Sequence, residues 1–423
     1  MKHIVFLVGS YYPNYSAVGK CIANIADCFS SQTDQYRVTV IAWNTEYGED
    51  SQCELHNQHI KRISTTLYKN RLYFQNQFSK TTGIKKKLCH VGLLVCRACN
   101  AAKMFLNKTS IDQAWVRAYR AALDQIQEPI DAIIPTCSPF EAIVAAIDYC
   151  DKKSIDMFPV LFDQFAANAT LHRSRINRHI KMKANCHLES IAFSRATHIF
   201  CMPPFYRYLM THYSNIADKA TMIEHPQIIQ KTIPEKFIRT DDVIKMVYSG
   251  SLIKKYIEPT PILDFASHVQ QSNYRFNFYV KGSAVSDIAS RKLDNVDVNG
   301  WVDKKTLDMV IANADICLNI AETSGIQISS KIFDYISLGK PILHFYYAEN
   351  DVNLSYLRKY PLALCIHIDN GLRADQAKKI KEWCETKRGC TMDFNNVKQI
   401  FGNFTPEYVS QLISKRIMES SHA

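Results

Sequence analysis

The tightest grouping of chemically useful side chains in this 423-residue chain is Ser329-Ser330-Lys331, followed three residues on by Asp334. Residues 331–338 have helical spacing, with Ile332, Phe333, Ile336 and Leu338 as an apolar stripe. Ser329 or Ser330 is a natural N-cap and Gly339 a natural stop. A helix starting there presents free N–H groups and a positive partial charge, which suit an anion such as a phosphate. Lys331 adds a full charge. Asp334, one turn in, can accept hydrogen bonds from a ribose diol. Residues 314–320 and 341–345 read as short buried strands, so the unit is strand, loop, helix, strand. An ordinary βαβ unit with a well-capped helix has the same pattern.

The elements that must position these residues fall into two series. In the first, residues 3–9 read as a strand and 10–20 as a loop with a helix start at Ser16. A helix through Ile22, Ile25 and Phe29 follows, then a strand at 37–42. This is the opening of a Rossmann-like domain. Only Gly9 and Gly19 are present where a dinucleotide fingerprint needs three glycines, which disfavours a nicotinamide cofactor. Residues 131–139 are a strand and loop, 140–149 a helix, and 158–162 a strand ending at Asp163. A helix at 186–196 and a strand at 197–202 complete the series. A Pro-containing linker through 226–242 leads to the second series. It has strands at 244–250, 276–280 and 296–301 and helices from Thr260 and at 306–314. The chain ends in an amphipathic helix at 405–417. The expected fold class is therefore α/β, with domains at 1–226 and 227–400 and a terminal helix within 401–423.

Composition narrows the partners. The chain is 47% hydrophobic, with a formal net charge of +11. Between Lys61 and Gln125 there are 13 Lys and Arg against 2 Asp, so this segment holds the whole excess. A localised basic excess points to an anionic partner. Residues 51–125 also break the β/α alternation and read as a basic insertion. Within it, Lys85-Lys86-Lys87 open an amphipathic helix that faces either the core or an anionic lipid surface, the latter through residues 61–108. No nucleic-acid module accompanies the interleaved aromatics, so nucleic acid is not expected. No run of 18 apolar residues is seen, so no transmembrane helix is expected. The N-terminal apolar run is too short for a signal peptide. Fourteen cysteines scattered through core-like segments fit a reducing, cytoplasmic compartment. Cys96 and Cys99 form the only C-x-x-C pair, without a second, so no metal site is expected.

The run Ser-Ser-Lys-Ile-Phe-Asp-Tyr-Ile-Ser-Leu-Gly-Lys-Pro-Ile resembles the donor-binding helix of retaining nucleotide-sugar glycosyltransferases of family 4, which have the GT-B fold. The order of the remaining segments resembles that family over roughly 3–50, 130–350 and the tail. The resemblance implies two Rossmann-like domains with parallel sheets facing across a cleft, and a C-terminal helix crossing back. It implies transfer of a sugar from a nucleotide-diphosphate sugar to an acceptor hydroxyl. The acceptor reading is a glycan or lipid-linked glycan of cell-surface polysaccharide, with the enzyme peripheral on the inner membrane face. It implies Asp334 on the ribose, and Gly19, Ser329, Ser330 and Lys331 at the diphosphate. Ser251 stands where the family has Arg, and Lys254 or Lys255 supplies the phosphate-gripping lysine, Lys255 being the leaving-group cation. Asp163 is the acceptor-side carboxylate, and no cofactor or metal is required.

The sequence departs from the family at one point. A second carboxylate is expected eight residues before Asp334, where Ile326 stands; Glu322 and Gln327 are the nearest replacements. Other readings of the same chain are an inverting transferase, a nucleotide-sugar epimerase, or a membrane-docked scaffold without turnover.

Overall fold

The N-terminal apolar run lacks polar alternation because it is covered on both faces. In the computed structural model it lies in strand β1 (Lys2–Leu7), with Ile4 and Phe6 in one core and Val5 and Leu7 in another. The structure describes residues 1–168, 175–231 and 241–420. The chain divides into two units, Met1–Pro226 with Asn403–Ala423, and Gln227–Gly402. Most of the predicted linker, residues 232–240, lies outside the described residues.

In unit 1, β1 is joined by β2 (Tyr36–Trp43), β3 (Gln52–Leu55), β4 (Gln58–Ile63), β5 (Ala132–Pro135) and β6 (Asp156–Met157). The sheet order is β3-β4-β2-β1-β5-β6. All pairs are parallel except β3 with β4. A small parallel sheet contains β7 (Val160–Leu161), β8 (Ile199–Cys201) and β9 (Ala220–Met222). The predicted strand at 158–162 is thus shorter, because Pro159 interrupts it. The terminal helix, Pro406–Ser420, belongs to this unit: Val409, Ile413 and Ile417 share a core with Ile22, Ile25 and Phe29 of the Ala17–Ser30 helix.

The segment 51–125 is not one insertion. Its first part supplies β3 and β4, and β4 extends the parallel sheet beside β2. Its last part is a core helix, Gln113–Asp124, which buries Val116, Tyr119 and Leu123. Only the hairpin of helices Thr66–Lys80 and Gly83–Leu106 lies outside the alternation. Gly92 and Phe74 fix the contact inside it, since a Cβ at Gly92 would stand 2.7 Å from the Phe74 ring. The Gly83–Leu106 helix does not face the core: Cys96 is its one buried residue. It is also the one helix among the described residues long and apolar enough to cross a membrane, with 6% of its most apolar window buried. The expectation of no such segment rested on the lack of an unbroken apolar run; this helix reaches the length and composition with Arg97 and Lys103 inside it. The lysines cluster at its start, leaving only Arg97 and Lys103 charged between 88 and 105.

Unit 2 holds β10 (Ile244–Ser251), β11 (Tyr274–Lys281), β12 (Val296–Asn299), β13 (Ile316–Ile320), β14 (Ile342–Tyr346) and β15 (Ala363–His367). The order is β12-β11-β10-β13-β14-β15, parallel throughout. Each unit is therefore a Rossmann-like sheet, and strand order reverses at β1/β5 in one and at β10/β13 in the other. The loops leaving the C-terminal ends of strands at such a reversal diverge and open a crevice, where ligands of this architecture bind.

Candidate functional site

In unit 2 the loops that follow β10 and β13 flank this reversal. Thr323 binds them together, its N–H donating to Tyr256 O at 3.0 Å and its hydroxyl to Lys255 O at 3.3 Å. The structure thus brings the two phosphate-gripping segments predicted from sequence to one place. It also separates the two lysines. Lys254 is engaged, its Nζ 2.9 Å from Asp287 Oδ1. Lys255 is exposed and makes no ion pair among the described residues. Its backbone is left-handed, at φ 68°, and its N–H donates to Glu258 at 2.6 Å, which ties down the turn that presents the side chain. Ser251, at the end of β10, is half-buried.

Lys331 is the unusual cation. Its Nζ donates to Tyr248 Oη at 3.0 Å and stands 4.3 Å from the centroid of the same ring. It runs beside Gly250, where a Cβ would meet Nζ at 2.8 Å and where φ is +133°. The positive φ favours glycine at 250, whereas the contact is with the flexible end of a lysine; sequence reading missed this position. No carboxylate pairs with Lys331 among the described residues. Desolvation alone lowers its pKa to about 7. The predicted helix is Lys331–Ser337, and Ser330 holds the cap position without a side-chain cap bond. With fewer than two full turns its dipole is small, so the attraction for an anion rests on the two lysines.

Asp334 is not the free acceptor expected. Its carboxylate lies 2.8 Å from Lys231 Nζ and 3.3 Å from Lys304 Nζ, and both lysines also meet Asp308, at 2.9 and 2.7 Å. A diol would have to share Asp334 with this network. Glu322 is occupied by its own turn, accepting from Ser324 N–H at 3.2 Å and from its hydroxyl at 2.5 Å. Ser329 faces inward: its hydroxyl donates to Asn319 at 2.8 Å and its N–H to Asn353 at 2.8 Å. Asn319 in turn contacts His344 Nδ1 at 2.9 Å, and His344 Nε2 lies 3.5 Å from Asp351, both side chains at 0% exposure. This buried polar chain under the loop at 321–330 was also missed from sequence. Asn319 and His344 sit in strand-like runs, and Asp351 and Asn353 lie outside the motif. The bonds from Ser329 to Asn319 and Asn353 hold the loop, while His344 Nε2 and Asp351 Oδ2 are buried without a hydrogen-bond partner among the described residues.

In unit 1, Gly19 is buried, and its N–H donates to the cap residue Ser16 at 3.2 Å. A Cβ there would stand 2.1 Å from Ser10 O. Its smallness thus seats the helix against its own loop, and that N–H is not offered to a phosphate. Asp163 is exposed at the rim of a cavity of about 310 Å3, which also takes in Trp43, Asp112, Trp115, Cys137 and Glu141. Partial desolvation in this concavity raises the Asp163 pKa. Burial also pushes Glu141 up to about 7 and the Cys137 thiol up to about 12. Cys137 is therefore a thiol that accepts from the N–H groups of Phe162 and Asp163, not a nucleophile. The chain after Asp163 is held by Glu189, which is fully buried. Glu189 accepts from the N–H groups of Phe165 (3.1 Å) and Ala166 (2.9 Å) and from the hydroxyls of Tyr208 (2.7 Å) and Tyr213 (2.8 Å). Nothing in the local sequence around 189 marks this role.

No protein-family model matches the sequence, and no curated protein matches it either. Solved structures do match over the full length. Sucrose-phosphate synthase from Thermosynechococcus elongatus superposes with a TM-score of 0.58 at 9% identity, covering 100% of both chains. The α,α-trehalose 6-phosphate synthase from Burkholderia multivorans gives 0.57 at 8% identity, covering 100% of this chain and 99% of that one. The catalytic domain of starch synthase IV from Arabidopsis thaliana, bound to ADP and acarbose, gives 0.57 at 8% identity with 100% coverage of both. At these identities the likeness is one of fold: this chain has the two Rossmann-like domains of the GT-B fold.

Proposed function

We propose that this protein is a glycosyltransferase that takes a nucleotide-diphosphate sugar as donor and moves the sugar to an acceptor hydroxyl. The observation that carries the reading is the joining of the two loops at the β10/β13 reversal. Two cations without carboxylate partners among the described residues, Lys255 and Lys331, belong to the segments that Thr323 joins. A parallel-sheet crevice that concentrates positive charge suits a diphosphate leaving group, whose negative charge grows as the glycosidic bond breaks. Preorganised cations stabilise that charge without rearranging in the transition state. Such a crevice does this without a metal, and the resemblance of the helix motif favours a retaining course. Asp163, with its raised pKa, is the acceptor-side carboxylate suited to orient the hydroxyl and take its proton. The fold relatives include an enzyme bound to ADP and acarbose, which accords with a nucleotide donor.

The acceptor in this proposal is a lipid-linked glycan of cell-surface polysaccharide synthesis, and the protein works at the cytoplasmic face of a membrane. The support is the exposed Gly83–Leu106 helix with Lys85, Lys86 and Lys87 at its start. Purified protein should be screened for thermal stabilisation by uridine, guanosine, adenosine and thymidine diphosphates, then for hydrolysis or transfer with the sugars of whichever binds. Stabilisation by one nucleotide, followed by turnover of its sugar, is expected. No stabilisation by any of them would remove the donor reading.

A further inference from the structure

The polar chain beneath the loop at 321–330 has a direction, and that direction is set at its buried end. Ser329 Oγ donates to Asn319 Oδ1 at 2.8 Å, so the amide nitrogen of Asn319 faces His344 Nδ1, at 2.9 Å. An amide nitrogen only donates, so Nδ1 accepts and the ring proton sits on Nε2. The carboxylate that Nε2 meets is Asp351, with Oδ1 3.5 Å away, too far for a good hydrogen bond. His344 Nε2 and Asp351 Oδ2 are thus buried without a hydrogen-bond partner among the described residues. Such unpaired atoms cost free energy.

A second state of the same heavy atoms relieves this. When His344 takes up a second proton, Nδ1 becomes a donor and Asn319 must turn its oxygen toward it. The amide nitrogen then faces Ser329, whose oxygen accepts, and the serine keeps its O–H for another partner. The imidazolium is paired with the Asp351 carboxylate, which Asn353 N–H fixes through Oδ1 at 2.8 Å. The loop need not move: Ser329 N–H stays on Asn353 Oδ1, Asn353 Nδ2 on Gln327 O at 3.3 Å, and Val352 N–H on Gly325 O at 2.9 Å.

The other groups around the ring keep their charge while an imidazole titrates, between pH 5 and 8. Tyr346, on the same strand, lies nearly parallel at 6.0 Å, and Cys365 stands opposite on β15. Burial raises the Tyr346 pKa and pushes the Cys365 thiol up to about 11, so both stay neutral. Arg358, which acts electrostatically on both, stays charged. On β13 the residue opposite is Asn319 itself.

The two states differ in what they offer a ligand. Ser329 is half-buried, two residues before Lys331. With His344 neutral, its hydroxyl presents only lone pairs, which repel a phosphate oxygen. With His344 charged, the same hydroxyl can donate. Resting on the transferase reading, we infer that His344 is a positioning residue for the donor diphosphate: through Asn319, and paired with Asp351, its protonation turns the Ser329 hydroxyl from an acceptor into a donor toward the phosphate. The proton comes from solvent and stays on the ring.

The relay is read by nitrogen NMR on the full-length protein labelled in histidine and asparagine, from pH 8 to 5. His344→Phe and Asn319→Asp assign the two signals. The His344 ring should pass from one protonated nitrogen to two, and the Asn319 amide should shift with the same midpoint. Asp351→Asn keeps an acceptor for Asn353 N–H and removes the charge, so it should lower that midpoint by about one unit or more. Saturating inorganic pyrophosphate should raise the midpoint by about half a unit or more, as linkage requires of a ligand that prefers the charged state. Most of that rise should vanish in Ser329→Ala, whereas a purely electrostatic effect would survive. Circular dichroism verifies that the variants fold. A ring that stays neutral down to pH 5, an Asn319 amide that ignores the ring, or a midpoint that pyrophosphate leaves alone overturns the inference. So does a rise that Ser329→Ala leaves intact. Thermal stabilisation by nucleoside diphosphates, read separately, tests the transferase reading alone.

Discussion

Replacing Lys331 by Met isolates the cation on which the donor reading depends most. An ordinary lysine titrates near 10.5, and burial holds Lys331 at about 7. That gap of about 3.5 corresponds to ~5 kcal/mol as a ceiling, at 1.36 kcal/mol per unit. The folded pKa lies below the unfolded one, so between pH 7 and 10.5 the unfolded chain binds more protons. Stability therefore rises with pH across this window, and the full penalty applies below pH 7. Lys331→Met should remove that slope. Below pH 7 it should also stabilise the free protein, by no more than that ceiling, because no ammonium then has to be desolvated.

Ligand binding reverses the preference. A bound diphosphate supplies the missing counter-charge, raises the lysine pKa and draws in a proton. Near pH 8, binding should take up close to one proton per site. Affinity should fall by up to tenfold per pH unit above 7. Calorimetry in buffers of different ionisation enthalpy reads the proton directly, and denaturant melts at several pH values read the stability slope. The methionine variant should bind at least tenfold more weakly at pH 7. A parent protein that binds nucleotide with no proton uptake at pH 8, or a variant that binds like the parent, would show that this ammonium faces no anion.

Other consequences are open to measurement. Lys255→Ala should lower turnover more than donor binding, because leaving-group charge peaks in the transition state. Lys254→Ala should stay near the parent, since its ammonium serves Asp287; steady-state kinetics that rank the two the other way would reverse the assignment. Asp334→Ala should weaken nucleotide binding by ~1–3 kcal/mol. It should also couple with Lys231→Met in a double-mutant cycle of melting free energies, and strict additivity would deny the ion-pair network a role. Glu141 has a folded pKa of about 7 against an ordinary 4.5, so its protonated form stabilises the fold and that contribution is lost as pH rises through 4.5 to 7. Glu141→Gln should flatten melting stability across this interval, and an unchanged profile would place the carboxyl in water. Cosedimentation should show binding to anionic vesicles and little to neutral ones, lost at high salt and after Lys85, Lys86 and Lys87 are changed to Gln; equal binding to both lipids would leave the hairpin without an electrostatic partner.

The local pattern of this chain was legible in its residues. Apolar runs bounded by Gly, Pro and Ser marked most strands of the unit 2 sheet, and β1, β2 and β5 of the larger sheet of unit 1, to within a few residues, because strands covered on both faces have no polar alternation to blur them. Ser16 caps the helix predicted to start there, since capping is decided by neighbours in sequence. The segment around Lys331 read as strand, loop and helix for the same reason. Long-range pairing was not legible. Residues 52–63 carry polar and charged side chains and read as insertion, yet they extend the sheet, because β2 offered an unsatisfied edge. The state of each charge was equally hidden. Lys254 and Lys255 are adjacent and alike in sequence, and only the placement of Asp287 separates them. Asp334 reads as a free acceptor until Lys231 and Lys304, distant in sequence, are seen to hold it. Lys331 owes its low pKa to desolvation, in a site beside Tyr248 and Gly250, about 80 residues away in the chain. Hydrogen bonding within a turn is set by neighbours along the chain. Desolvation and charge pairing are set by what lies within a few ångströms in space, and for these lysines and carboxylates that was decided by the tertiary structure.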